Sequence, residues 1–323
     1  MKTQVAVIGF GFMGVVHAKN IVASETMELC GIIDNRDGDI FKGIENTGNA
    51  GTQVLPIKQL KAVSIYKSLE ECVKTTKVDA VVICVPLFLH YELTKKALEL
   101  GVDVMVEKPF CPTLEQCREL IKLAIQKNRI LMVAHCIRFH PAWKFLAACI
   151  DDKRFGELQI LSTSRTGGEP TWGVWNDPTI RRTCGGGLWD LVLHDIDFIN
   201  HHIGIPDGLD VNVNVRDYWE TSFTRNGAII SIKGGFLHPH AVFESNFFAT
   251  FEHASLQYST ANSSVLLVST QNGLETIDGM GIGSYEAELA YFGNCVKMRI
   301  APSECLPEEA TQAISICMQA DKK

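Results

Sequence analysis

The chain has 323 residues, of which 46% are hydrophobic, and this is enough for two globular domains with a core each. The net charge of −7 gives no general attraction to nucleic acid or to an anionic membrane, so we expect neither as a partner. The 11 cysteines show no CxxC pair and no Cys/His cluster with zinc-site spacing. With no signal-peptide pattern at the start, this predicts reduced thiols, no bound metal and a cytoplasmic location.

The first half of the sequence alternates short β-branched runs with helical patterns. Strands are predicted at 4–9, 28–34, 80–85, 103–106 and 130–134, and helices at 13–24, 68–75, 91–100 and 113–127. Segment 39–63 lacks clear periodicity, and we expect an irregular helix and loop there. Because strands separated by helices form βαβ units, the pattern predicts an α/β domain with a parallel sheet at residues 1–125.

The second half is richer in strands. They are predicted at 157–166, 210–215, 219–225, 228–236, 242–252 and 255–258, and helices at 188–203, 284–298 and 307–319. Short turns at 225–227 and 252–254 suit hairpins. We therefore predict an α+β domain with a large open mixed or antiparallel sheet at residues 126–323, whose last helix is a candidate to pack back on the first domain.

A glycine motif lies where the first predicted strand meets the first predicted helix, and it reads Gly9-Phe10-Gly11-Phe12-Met13-Gly14. Its spacing is typical of a Rossmann dinucleotide site, in which the helix N-terminus faces the pyrophosphate, although glycine-rich turns also serve ordinary packing. Asp34 ends the second strand and is placed to bind the ribose hydroxyls of NAD, whereas Arg36 leaves NADP open. The residues assigned to the cofactor on this pattern are Gly9, Gly11, Phe12, Met13, Gly14, Asp34, Asn35 and Arg36.

Two charged residues, Glu107 and Lys108, follow the strand predicted at 103–106. Ligands of open α/β sheets bind at the carboxyl ends of the strands, so a lysine there is a candidate to contact the cofactor ribose and the reacting oxygen. A solvated Glu–Lys pair in a loop is the alternative interpretation.

A third candidate site lies in the segment 185–197, which reads GGGLWDLVLHDID. On a helix Asp190 and His194 share one face, and histidine is suited to remove a hydroxyl proton while a hydride leaves the same carbon. We predict that the three glycines let a ligand approach the backbone. Asp197 is predicted either to orient His194 or to lie on the helix surface, and an exposed Asp190–His194 pair without function is the alternative to the site as a whole.

These residues resemble the Gfo/Idh/MocA oxidoreductases, a family that includes inositol dehydrogenases and glucose–fructose oxidoreductase. The resemblance covers nearly the whole chain and depends on the glycine motif, Val85-Pro86 with His90, Glu107-Lys108-Pro109, the segment 134–141 and the segment 185–197. It implies a Rossmann domain followed by a mixed-sheet α+β domain, with NAD or NADP in the crevice between them. It also implies a carbohydrate or polyol substrate and a homodimer or homotetramer built on the open sheet.

The resemblance further implies roles for single residues. Lys108, Asp190 and His194 align with the catalytic residues and are also expected to bind substrate. Val85, Pro86, His90, Glu107, Lys108 and Arg138 are expected along the cofactor, with Arg138 beside the nicotinamide or the substrate. His135 and Trp172 are assigned to the substrate, with plain core packing as the alternative for Trp172.

The sequence therefore predicts an NAD(P)-dependent dehydrogenase that acts on a CH–OH group of a sugar, polyol or inositol-like substrate. A redox-assisted glycosidase or lyase, and a non-catalytic NAD-binding regulator with the same fold, remain alternatives.

Overall fold

A computed structural model describes residues 1–42, 56–171, 173–206, 209, 211–215, 217–262, 265–281 and 283–321. The chain divides into two compact units, the first made of residues 1–134 with 285–311 and the second of 135–284 with 312–323. The sequence placed the boundary after residue 125. The structure includes the strand Leu131–Ala134 in the first unit because it pairs with Asp103–Glu107 of the same sheet.

The first unit contains a parallel six-stranded sheet with helices between its strands. Its elements in chain order are β1 (Thr3–Ile8), α1 (Phe12–Ala23), β2 (Met27–Ile33), α2 (Ile57–Lys61), β3 (Ile65–Tyr66), α3 (Leu69–Thr75), β4 (Ala80–Ile83), α4 (His90–Glu99), β5 (Asp103–Glu107), α5 (Leu114–Lys127) and β6 (Leu131–Ala134). The strand order is β3-β2-β1-β4-β5-β6, which is the Rossmann order with its reversal between β1 and β4. This confirms the predicted fold of the first half.

Two helices of this unit begin at side-chain caps. The hydroxyls of Ser68 and Thr113 accept hydrogen bonds from the backbone N–H groups of Glu71 and Gln116, at the start of α3 and α5. Helix α1 differs, because Gly11 stands at its N-cap and no side chain caps it. Its first N–H groups are therefore suited to an anionic ligand. Residues 43–55, within the segment predicted as irregular, lie outside the described residues.

The second unit contains an eight-stranded sheet and several helices. The elements that complete the chain are α6 (Pro141–Asp151), β7 (Leu158–Gly168), α7 (Pro178–Thr183), α8 (Leu193–His202), β8 (Val211–Val215), β9 (Tyr218–Arg225), β10 (Ala228–Leu237), β11 (Glu244–Phe251), β12 (Ala254–Ser259), β13 (Leu266–Thr270), β14 (Gly273–Ile277), α9 (Ser284–Met298) and α10 (Pro307–Asp321). The sheet order is β14-β13-β12-β11-β7-β10-β9-β8, and β7 with β10 is a parallel pair. The predicted open mixed sheet is thus confirmed.

One face of this sheet is covered by helices. The indole of Trp143 in α6 contacts the rings of Phe198 in α8 and Phe247 in β11, with centroid distances of 4.8 Å and 5.2 Å. On the opposite face Ile160, Ile229 and Phe248 are exposed. Helix α6 therefore packs its apolar side against the sheet, and its polar residues point away from the core.

The structure differs from the sequence prediction in several places in this unit. Helices α6 and α7 and strands β13 and β14 were not predicted. The helix predicted at 188–203 is interrupted, since Leu188–Val192 form a π-helical segment before α8 begins. The extra residue changes the helical phase within a single turn, and the apolar pattern does not distinguish so short a change from a continuous helix.

Candidate active site

The three glycines of the motif have different structural roles. Gly9 has φ +87°, which favours glycine, and a Cβ at Gly14 would overlap the carbonyl oxygen of Gly9. A Cβ at Gly11, in contrast, would meet nothing within 4 Å. The first and third glycines are thus needed by the fold itself, whereas the second leaves open space beside the uncapped start of α1. This space fits the pyrophosphate of a dinucleotide.

Asp34 and Arg36 form an ion pair at the end of β2. The carboxylate of Asp34 accepts hydrogen bonds from the backbone N–H of Phe10 at 2.9 Å and from the Arg36 guanidinium at 2.8 to 3.1 Å. Burial opposes ionisation of Asp34, but these hydrogen bonds outweigh it and lower its pKa. Asp34 is therefore an anionic acceptor in the position expected for ribose hydroxyls, and its charge disfavours a 2′-phosphate. Asn35, between them, is exposed.

Lys108 lies directly after the last residue of β5 and is half-buried. The Glu107 side chain before it is buried, and its two oxygens bind within the unit: Oε1 lies 2.7 Å from Nε2 of His17, and Oε2 accepts the backbone N–H of Lys108 at 3.2 Å. Burial opposes ionisation of Glu107, but the hydrogen bond from His17 outweighs it and its pKa is lowered. The Lys108–Pro109 peptide is cis.

His17 was not singled out from the sequence. It lies on α1, three residues after Gly14, and is fully buried. The signal available in the sequence is a histidine among apolar residues shortly after a glycine motif, and an isolated histidine of this kind is more often part of a core than of a site.

His90 binds backbone on both sides of its ring. Nδ1 lies 2.7 Å from the carbonyl oxygen of Pro109, and Nε2 lies 2.8 Å from that of Val85. Burial lowers the pKa of His90, and the contacts with these two carbonyl oxygens act against this effect. The ring thus lies between the loops after β4 and β5, the first of which contains Pro86. The expected place of His90 along the cofactor stays a prediction.

The triglycine segment of the second unit packs against the protein itself. Gly185 and Gly186 have positive φ, and the Gly187 N–H donates to the carboxylate of Asp217 at 2.7 Å. Added Cβ atoms would meet Trp189 at Gly185 and Asp217 at Gly186. The structure thus shows these glycines packed closely against neighbouring residues, while the approach of a ligand to this segment stays a prediction. Asp217 is a further residue that the sequence did not indicate.

Asp190 lies in the π-helical segment and His194 in the first turn of α8. In this segment the N–H of Leu193 donates to the carbonyl oxygen of Leu188, the i+5 spacing of a π turn. Asp190 and His194 are half-buried, whereas Trp189 is buried. Single π turns are frequent at functional sites because they displace side chains from the regular helical face.

Two buried ion pairs hold α8 in place. Asp195 accepts from Nε of Arg165 in β7 at 2.8 Å, and Asp197 accepts from Nε and Nη2 of Arg138, each at 2.7 Å. Burial raises the pKa of Asp195 despite the charge of Arg165. One alternative placed Asp197 on the helix surface. The structure shows instead that Asp197 is buried and bound to Arg138.

The remaining predicted residues are His135, Arg138 and Trp172. His135 is buried, with Nδ1 3.5 Å from Oδ2 of Asp197, and the Arg138 guanidinium, expected beside the nicotinamide or substrate, lies against the same carboxylate. Trp172 lies outside the described residues.

Within the described ranges no group of three or more His, Cys, Asp and Glu side chains is arranged to hold a metal ion. Over the same ranges, every helix is too short or too polar to cross a bilayer.

The strand order and the glycine motif of the first unit define a dinucleotide-binding Rossmann domain. Residues 3–135 match the family model GFO_IDH_MocA, described as an oxidoreductase family with an NAD-binding Rossmann fold. Over this unit the predicted resemblance to the Gfo/Idh/MocA oxidoreductases is confirmed, and so is the predicted NAD cofactor.

Similar proteins include sugar and inositol dehydrogenases. The chain is 31% identical over 214 residues to D-glucoside 3-dehydrogenase of Escherichia coli (strain K12), a match that covers 65% of this chain and 57% of that protein. It is 28% identical over 207 residues to inositol 2-dehydrogenase of Rhizobium meliloti (strain 1021), covering 63% and 56%. The chain thus spans little more than half the length of these relatives.

A solved structure of levoglucosan dehydrogenase, in complex with NADH and levoglucosan, is similar over the whole chain. The TM-score is 0.80 at 17% sequence identity, and the match covers 100% of this chain and 97% of that one. At this identity the similarity shows a shared fold.

Proposed function

We propose that this protein is an NAD-dependent dehydrogenase that oxidises a secondary hydroxyl of a cyclic sugar or polyol, or reduces the corresponding ketone. The observation that carries the proposal is Lys108, a half-buried lysine at the carboxyl end of β5 in an NAD-binding Rossmann sheet. This is the edge of the sheet at which ligands of such domains bind. The names of the relatives, D-glucoside 3-dehydrogenase and inositol 2-dehydrogenase, support the substrate class.

Each candidate residue has a defined part in this reaction. Bound nicotinamide supplies the hydride acceptor for the carbinol carbon. Lys108 donates a hydrogen bond to the reacting oxygen and stabilises its alkoxide character, His194 accepts the hydroxyl proton, and Asp190 binds neighbouring hydroxyls. The products are the ketone, the reduced cofactor and one proton held by His194.

We propose NAD rather than NADP as the preferred cofactor. The Arg36 guanidinium, which would be needed to bind a 2′-phosphate, is paired with Asp34 and also donates to the carbonyl oxygen of Phe10 at 2.8 Å. Binding NADP would require breaking this pair and placing a phosphate beside a carboxylate.

A panel of sugars and inositols with NAD and with NADP tests the function, with the absorbance of the reduced nicotinamide as the readout. We expect accumulation of the reduced cofactor with at least one cyclic substrate, and faster with NAD. Consumption of substrate without net reduction of the cofactor would support the lyase instead. NAD binding with no reaction on any substrate would support the non-catalytic regulator.

We also propose that copies of the chain associate through the open face of the second unit's sheet. Ile160 and Ile229 are paired in register on neighbouring strands and, with Phe248, are exposed there. Light scattering tests this: the wild type is expected as a dimer or tetramer, and Ile229→Lys as a monomer. A wild-type monomer would contradict it.

A further inference from the structure

Two buried histidines lie against the segment that carries Lys108 in the first unit. We propose that His17 and His90 are positioning residues, which hold the tripeptide Glu107-Lys108-Pro109 from both ends so that the Lys108 ammonium stays in register with the bound cofactor. The inference rests on the proposed function, because it concerns the placement of the lysine in that reaction.

His17 holds the tripeptide at its start. Its side chain is fully buried in α1, and Nε2 lies 2.7 Å from Oε1 of Glu107, whose side chain is only 9% exposed. The second oxygen of the same carboxylate accepts the backbone N–H of Lys108 at 3.2 Å. One carboxylate therefore links the imidazole of α1 to the backbone of the lysine. Since the hydrogen bond is charge-assisted and shielded from water, it is stronger than a surface contact.

His90 holds the tripeptide at its end. Its ring lies between the carbonyl oxygens of Pro109 and Val85, at 2.7 Å and 2.8 Å, and is almost fully buried. The first carbonyl belongs to the tripeptide and the second to the loop after β4. The backbone on both sides of Lys108 is thus fixed, while the lysine side chain itself is half-buried.

The two histidines also tie Lys108 to the cofactor-binding elements. Helix α1, which carries His17, begins at the glycine motif, and α4, which begins at His90, follows the loop of Val85 and Pro86. A displacement of either helix would therefore be transmitted to Lys108 through a side chain rather than through a long stretch of backbone. Displacement of a catalytic group by about 1 Å costs roughly 100-fold in rate.

Plain core packing is the competing explanation, and a pair of amide substitutions separates the two. In His17→Gln the amide nitrogen lies near the position of the histidine Nε2 and retains the donor to Glu107. In His17→Asn the amide nitrogen lies near the position of Nδ1 and cannot reach that carboxylate. Both variants bury a polar amide, and the shorter Asn also leaves a small cavity. A packing role predicts that this cavity lowers the stability of the fold, not kcat at unchanged NAD affinity.

The experiment measures kcat, the KM for the best sugar and the Kd for NAD in the wild type and in both variants, with His253→Gln in an exposed turn as the control. We expect kcat to fall by about 100-fold in His17→Asn, with KM and Kd nearly unchanged, and to stay close to the wild-type value in His17→Gln. Equal values of kcat in the Asn and Gln variants would overturn the proposal. So would a loss in His17→Asn that is fully accounted for by weaker NAD binding.

A second readout does not depend on turnover. The rate at which acetic anhydride acetylates Lys108 in the NAD-bound protein reports the placement of the amine. Peptide mass spectrometry follows it, with the exposed Lys127 as the internal reference. We expect the Lys108 rate to change in His17→Asn and not in His17→Gln. Identical rates in all three proteins would overturn the inference even if no sugar reacts, whereas a wild type without turnover but with the expected labelling pattern would overturn only the proposed function.

Discussion

Arg138 and Asp197 form a two-point ion pair inside the second unit, with Nε–Oδ2 and Nη2–Oδ1 distances of 2.7 Å and side chains that are 2% and 1% exposed. The pair joins the segment Cys136–Phe139 to α8, the helix that begins with Leu193 and His194. A planar guanidinium donates two parallel hydrogen bonds to a carboxylate only when the two groups share a plane. It therefore fixes α8 in rotation as well as in position.

Removing one member of this pair is expected to destabilise the second unit strongly. Asp197→Ala leaves a buried guanidinium without its counter-charge, and such changes cost about 3–5 kcal/mol in the free energy of unfolding. Urea unfolding measures this, with Glu119→Ala as the control, because the Lys95–Glu119 pair lies on the surface. A variant Asp197→Ala as stable as this control would show that the pair contributes nothing.

The sequence predicts a functional role for the segment 185–197, but it does not indicate which contacts hold the segment in place. The Asp190 and His194 spacing follows from helix geometry, whereas the partners of Asp195 and Asp197 come from Arg165 and Arg138, which lie 30 and 59 residues away in the chain. Contacts between residues so far apart depend on the packing of α8 on the sheet, which periodicity does not specify.

The glycines of the motif are expected to separate folding from cofactor binding. Gly11→Ala adds a methyl group where nothing lies within 4 Å, so we expect an unchanged Tm and an NAD Kd at least about tenfold weaker, or about 1.4 kcal/mol. Gly14→Ala overlaps the carbonyl oxygen of Gly9 and is expected to lower the Tm. Thermal unfolding and titration with NAD measure both. Unaltered NAD affinity in Gly11→Ala would contradict the placement of the pyrophosphate.

Cofactor preference is expected to shift when Asp34 is removed. Asp34→Ser frees the Arg36 guanidinium from its ion pair and removes the charge that repels a 2′-phosphate. The ratio of kcat/KM for NADP to that for NAD is expected to rise, mainly through the KM values. The matched change Lys67→Ser removes a nearby exposed cation that binds the carbonyl oxygen of Arg36, and it should leave the ratio nearly unchanged. The same ratio in Asp34→Ser as in the wild type would count against the assigned ribose site.

The overall fold was predicted more accurately than the details of its elements. Parallel strands and the glycine motif follow from local patterns, and the bounds of β1, α1 and β5 differ from the prediction by one residue or so. The role of His17 was missed because it depends on a contact with Glu107, 90 residues later in the sequence. Strand β14 was missed because it is almost wholly exposed and carries no apolar alternation.

Acid is expected to destabilise the protein partly through His140. Burial, with a smaller effect from the Arg165 charge, lowers the pKa of His140 from 6.5 to about 4. Between these values the unfolded chain takes up a proton that the folded protein does not, so the free energy of unfolding falls as the pH falls from about 6.5 to about 4. Above pH 6.5 the ring is neutral in both states and this contribution is constant.

The variant His140→Gln isolates this contribution. It lacks the titrating ring but retains an amide near Nε2, which lies 3.3 Å from the hydroxyl of Tyr258. We expect the Tm of the variant to fall less steeply with acid than that of the wild type, while the exposed His253→Gln control follows the wild type. Parallel curves for the wild type and His140→Gln would contradict the assignment.

The most direct test of the account is single-turnover reduction of NAD by the best sugar, in the wild type and in the variants Lys108→Met and His194→Ala, with NAD binding measured on the same samples. The account predicts that both variants bind NAD as the wild type does and lose nearly all reduction of the nicotinamide. Wild-type reduction in either variant would contradict it.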